Sequence, residues 1–159
     1  MNTTNYNSLD EVRQVLTKII DLKPNGAVLE NEPKKGGEKA SSSLTIEIPI
    51  KTISEGNCFE PWQVRHKRHK AQKKAVFVYM LPMKHLLKLP CVITLVRLAS
   101  RFLDVGDNLP MSLKYIRDGV AEQITGDYVP GRADNNTGLT WKYDQEKSKK
   151  YGVKIIFEF

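Results

Sequence analysis

Cys91-Val92-Ile93-Thr94-Leu95-Val96-Arg97-Leu98 is followed, four residues later, by Leu103-Asp104-Val105-Gly106-Asp107-Asn108-Leu109-Pro110. That loop runs directly into Met111-Ser112-Leu113-Lys114-Tyr115-Ile116-Arg117-Asp118-Gly119-Val120. The first segment is apolar except at Thr94 and Arg97, so it reads as a central strand. Pro110 suits the first turn of a helix. Leu113, Ile116 and Val120 recur at helical spacing and supply its buried stripe, with an end expected near Gly126. Between strand and helix lies a Gly-containing loop with two carboxylates and a carboxamide. Carboxylates in such a position are held by rigid elements yet open to solvent. Hard cations such as Mg²⁺ take oxygen ligands and usually keep several waters, so a few carboxylates suffice to bind one.

Upstream, residues 60–80 read as a long helix with Pro61 in its first turn. Its first part is dominated by Arg65, His66, Lys67, Arg68, His69, Lys70, Lys73 and Lys74. Its apolar part, residues 75–80, is expected to anchor it to the core, and Leu81-Pro82 to end it. Residues 44–50 alternate apolar and polar and predict a half-buried strand, near a sheet edge because of Pro49. Residues 24–43 hold Pro-Asn-Gly, Lys-Lys-Gly-Gly and Ser-Ser-Ser, the composition of a flexible linker. Before it, Ser8 can cap a helix over residues 9–22, whose Leu9, Val12, Val15, Leu16, Ile19 and Ile20 form one stripe. Downstream come a polar loop at 127–138 and strands at 139–143 and 151–159, joined by a charged turn at 144–150. This order predicts an α+β fold, a small mixed or antiparallel sheet packed with helices. The expected division is an N-terminal helix and linker over residues 1–43 and one folded domain over 44–159.

The chain has 159 residues, 25 Lys and Arg against 18 Asp and Glu, and a net charge of +7. Such a balance suits an anionic partner, nucleic acid above all, and equally suits a soluble basic protein with none. Two cysteines, Cys58 and Cys91, cannot form a zinc site alone, and a disulfide framework is not indicated, so a reducing cytoplasm is expected. No apolar run approaches the ~20 residues that cross a bilayer. A Gly-rich phosphate loop, a Ser/His/Asp set and a Cys-x-x-Cys motif are all missing from the sequence.

Asp104 and Asp107 share the loop and can converge on one ion. Asp118 lies eleven residues beyond Asp107. On one helix the two would share a face but stand ~16 Å apart, too far for one cation. Asp118 is therefore expected to pair with Lys114, one turn earlier. Asp134, in the loop before a strand, is the best third ligand. On the residues alone, helix capping by Asp107 or Asn108 and turn support by Asp134 account for these side chains more simply. For residues 65–74 the balance runs the other way. Like charges at that density repel unless an anion offsets them, and Lys and Arg contacts to phosphates give affinity without sequence readout. Trp62 is expected as a core anchor rather than a stacking ring.

From about residue 46 to the C-terminus the chain resembles the RusA-like Holliday junction resolvases of phages and prophages. The resembling pieces are Ile48-Pro49-Ile50, Asn57 before Trp62, and the basic helix from Arg65 to Lys74. Then come Asp104-x-x-Asp107-Asn108-Leu109 with Lys114 and Arg117-Asp118-Gly119, and last Asp134 with Leu139-Thr140-Trp141-Lys142-Tyr143. The family has one residue between its first two acids where Val105 and Gly106 stand here, and adjacent acids where Ala133 precedes Asp134. The resemblance implies a homodimeric endonuclease, dependent on Mg²⁺ with Mn²⁺ as the alternative, that cuts branched DNA in recombination and repair. Asp104, Asp107 and Asp134 would be its metal carboxylates, and Lys114 would face the scissile phosphate. Asn108 would orient the loop, and Arg65, His66, Lys67, Arg68, Lys70, Lys73 and Lys74 would track the DNA backbone. The alternatives are a DNA-binding phage accessory protein without catalysis, or a protein interaction module.

Overall fold

A computed structural model describes residues 42–129 and 131–159. The helix expected over residues 9–22, and all but the last two residues of the linker, lie outside the described residues. The fold is α+β: a mixed four-stranded sheet with two α-helices. Its elements are β1 (Ser43–Ile48), α1 (Trp62–Met80), β2 (Cys91–Ala99), α2 (Asn108–Thr125), β3 (Leu139–Lys147) and β4 (Gly152–Glu158). Short 3₁₀ turns at Glu55–Asn57, Leu81–Leu86 and Ala133–Asn135 punctuate the connections. Among the described residues no helix is long and apolar enough to cross a membrane.

The strand order is β1-β4-β2-β3. β4 runs antiparallel to both of its neighbours, while β2 and β3 are parallel and joined through α2. Period-two alternation puts one residue in two on each face. The register then lines Leu44, Ile46 and Ile48 up with Phe157, Ile155 and Val153, and these in turn with Ile93 and Leu95. All eight are buried in the core. Onto this face α1 contributes Val76 and Met80, and α2 contributes Leu109, Leu113, Ile116 and Val120. Gly119 permits the close approach of the helices: a Cβ there would stand 3.3 Å from Cβ of Val76 and 3.5 Å from Cα of Lys73.

β1 lies at an edge and β2 in the middle, as the sequence predicts. The charged turn expected over residues 144–150 is mostly strand, because β3 runs on to Lys147. β3 and β4, though consecutive, are not paired, since β2 lies between them. The reason is compositional. β4 brings Val153, Ile155, Ile156 and Phe157 and suits an interior place, whereas Lys142, Asp144, Glu146 and Lys147 suit an edge, where charge discourages pairing with another chain. Pro61 is the residue before α1 rather than part of its first turn. α2 ends where expected, with Gly126 in the left-handed conformation at φ 70°.

Candidate nucleic-acid interface and acidic recess

The loop before α2 is latched on both sides. The backbone N–H of Leu103 donates to the Gln145 side chain at 2.9 Å, and the Gln145 amide donates back to the Leu103 carbonyl at 2.8 Å. The loop is thereby fixed to β3. Within it, the Asp104 carbonyl accepts from Leu109 N–H at 2.9 Å, and its carboxylate accepts from Asp107 N–H at 3.2 Å. Asp107 occupies the residue before α2 but makes no side-chain cap. Its exposed carboxylate is thus not used by the helix, contrary to the simple capping role. Asn108 accepts a hydrogen bond from the Ser54 hydroxyl at 2.6 Å, which ties the loop to the segment after β1.

One face of α2 carries Asp107, Lys114 and Asp118 by helical spacing. Lys114 is exposed, its ammonium 5.8 Å from the Tyr115 ring centre. Among the described residues Asp118 forms no close ion pair with Lys114, though the Lys114 charge still acts on it; it lines a recess with Lys73, Tyr115, Glu122 and Asp134. Burial pushes its carboxyl above the usual value and the Asp134 charge adds to this, against a partial offset by Lys73, Lys114 and Arg117. Glu122 pairs with Lys73 across the helix interface at 2.5 Å.

Asp134 is held firmly. Its carboxylate pairs with Arg117, which also donates to the Tyr143 hydroxyl at 3.1 Å. Its carbonyl accepts from the Trp141 indole at 3.2 Å. Among the described residues no three His, Cys, Asp or Glu side chains are gathered as a metal site. Asp104, Asp107 and Asp134 are therefore not preassembled as the three-carboxylate set that the sequence suggests. The reason lies in where the loop 127–138 goes: its Ala133–Asn135 turn delivers Asp134 to Arg117 and Asp118 rather than to the loop before α2.

α1 divides its cations into two groups. Arg68, Gln72, Val76 and Met80 are spaced by four, and the last three are buried against the core. Arg68 continues that inward stripe. Its guanidinium forks onto Glu55, with both nitrogen–oxygen distances 3.0 Å, and also pairs with Glu60. His69, beside it, stacks on Tyr115 with ring centres 3.4 Å apart and contacts Glu55 at 3.2 Å. Arg68 and Lys73 are thus engaged internally and leave the set expected to touch DNA. Arg65, His66, Lys67, Lys70 and Lys74 enter no ion pair among the described residues. Trp62 is not a core anchor: it is 65% exposed, tilted against His66, with Phe59 fully exposed nearby in sequence. It precedes the first buried turn of α1, so no core surface reaches it.

No family model matches the chain, and no curated protein matches it. Among solved structures, the thiamine monophosphate kinase of Aquifex aeolicus is similar at a TM-score of 0.32 and 12% identity, over 96% of this chain and 43% of the kinase chain. The chain thus spans less than half the length of that kinase, and a likeness at this level carries no argument about fold or function.

Proposed function

We propose that this protein is a RusA-like endonuclease that hydrolyses phosphodiesters in branched DNA. The observation that supports the reading is the direct packing of the cationic helix on the acid-bearing one. Lys73 meets Glu122, His69 stacks on Tyr115, and Val76 faces Gly119. In this reading, phosphate-binding charge on the first helix and carboxylates at the second act on the same DNA. Exposed Lys67, Lys70 and Lys74 would hold the DNA backbone without reading sequence.

Asp104 and Asp107 fit a hard divalent cation, Mg²⁺ or Mn²⁺, because both present exposed carboxylate oxygens and Asp107 is not consumed by a cap. Held by Asp104 and Asp107, such an ion would supply activation of a water molecule and offset the negative charge that develops on the phosphate oxygens. Asp134 does not fit the same site as it stands, since Arg117 holds its carboxylate. Asn108 keeps the loop in place through Ser54, and exposed Lys114 would stabilise charge on a bound phosphate. A homodimer would match the two-fold symmetry of a four-way junction, and free Cys58 and Cys91 suit action in the cytoplasm.

The engagement of Asp134 by Arg117 favours a second reading, a DNA-binding protein without catalysis. Asp107→Asn separates the two. In the nuclease it lowers cleavage by orders of magnitude while binding persists or tightens, because a negative charge facing phosphate is removed. Wild-type cleavage equal to that of Asp107→Asn would refute the assignment.

A further inference from the structure

At the end of the sheet where β2 stops, the connection from β3 to β4 passes the end of β2 to reach its other edge. It is pinned there by Ser148 N–H donating to the Ala99 carbonyl at 3.0 Å. This crossing gathers a second group of cations, from three separate parts of the chain. Lys51 follows β1, Arg97 and Arg101 flank the end of β2, and Lys147, Lys149 and Lys150 run from the last residue of β3 into the crossing. The ammonium of Lys51 lies 5.0 Å from the Tyr151 ring centre, and that of Lys147 lies 5.5 Å from the Phe102 ring centre. None of the six enters an ion pair among the described residues. The neighbouring acid Glu146 is taken by Lys154, at 2.8 and 2.9 Å.

Hydroxyls sit among these cations. Ser100 and Ser148 line a shallow recess with Lys147 and Lys149. The Tyr151 hydroxyl bonds to Ser100, and that bond, followed by the charges of Lys51, Arg97 and Arg101, pulls it below the usual phenol range. Arg97 is 7% exposed; it donates to the Arg101 carbonyl at 2.8 Å, while its Nε has no partner among the described residues. Gathered like charges without a counter-ion repel one another, and an anion that accepts their N–H and O–H groups offsets the repulsion. A tetrahedral oxyanion with several acceptor oxygens suits this mixture of ammonium, guanidinium and hydroxyl donors.

We propose that this end of the sheet is a phosphate-binding site, separate from α1, that takes a phosphodiester of a nucleic-acid strand. Only the source of the phosphate rests on the nuclease reading. Arg101 stands three residues before Asp104, so a strand held here would lead toward the acidic loop.

The test is an amide chemical-shift titration of the ¹⁵N-labelled full chain, once with inorganic pyrophosphate and once with a short DNA duplex. Both probes should shift the amides of residues 99–101 and 147–151. The affinity for pyrophosphate should fall about tenfold or more in the triple variant Arg101→Gln, Lys147→Gln, Lys149→Gln, consistent with loss of charge-assisted contacts. All three residues are exposed, and the single reversal Lys149→Glu serves should the triple variant lose its dispersed spectrum. No shift with either probe, or shifts unchanged in the variants, would overturn the site. Shifts with pyrophosphate but not with duplex would overturn the nucleic-acid source and leave a site for free phosphates. Duplex shifts at this end, in a chain that never cleaves DNA, would support the site while refuting the nuclease.

Discussion

Arg68→Ala distinguishes a structural cation from a DNA-binding one. The Arg68 side chain is 16% exposed and that of Glu55 10%. Exposed ion pairs contribute about 0–1 kcal/mol, whereas removing one partner of a fully buried pair costs about 3–5 kcal/mol. This pair is forked and nearly buried, so the loss should be about 2–3 kcal/mol at neutral pH. For a domain of this size that lowers Tm by roughly 6–12 °C. The pH dependence follows from Glu55. Burial alone would raise its carboxyl, but Arg68 and then His69 more than offset this and hold it below 4.5. A carboxyl depressed in the folded state adds stability above its unfolded value and loses it as pH falls through the folded value. The gap between wild type and variant should therefore be full at pH 7 and close as pH falls below 4.5. Urea denaturation across pH measures it, and DNA affinity measured against salt gives the second readout. An unchanged Tm, together with a salt slope shallower by about one contact, would mean that Arg68 is a free phosphate contact.

Three further outcomes are expected. Asp118→Asn should stabilise the fold at pH 7, because a carboxyl whose folded value is raised destabilises the protein once ionised; the gain should vanish as pH falls below 3.8, as thermal melts across pH would show. Replacing Lys67, Lys70 and Lys74 together by Gln should leave stability nearly level and reduce the salt slope of DNA binding by roughly one per lost phosphate contact, read by fluorescence anisotropy. Gly119→Leu should destabilise by about 1–3 kcal/mol in urea titrations, because its side chain would enter the 3.3 Å gap to Val76; Gly119→Ala should fall near neutral, its helix-propensity gain of about 0.8–1 kcal/mol opposed by the same crowding.

Periodicity made the elements legible. The largely apolar run at β2 predicts a central strand, Pro49 an edge for β1, and Gly126 the end of α2, and each is found. What periodicity does not carry is the partnering of charges across elements. Glu55 and Glu60 precede α1 and bind Arg68 from outside it, so spacing rules within a helix miss them. The spacing of four from Met80 back through Val76 and Gln72 to Arg68 is the signal that marks Arg68 as inward. The recess joining Asp118 to Asp134 depends on the path of a loop, which residue order does not encode. The parallel pairing of β2 with β3 likewise follows from which strand can tolerate an edge, a choice made by the whole sheet.

Metal-dependent cutting of branched DNA is tested most directly by incubating the full chain with an end-labelled four-way junction under Mg²⁺, Mn²⁺ or chelator. The account predicts incisions beside the branch with either metal and none with chelator, the junction being bound in all three. A junction that is bound yet uncut with both metals, at every ratio of protein to DNA, would contradict it.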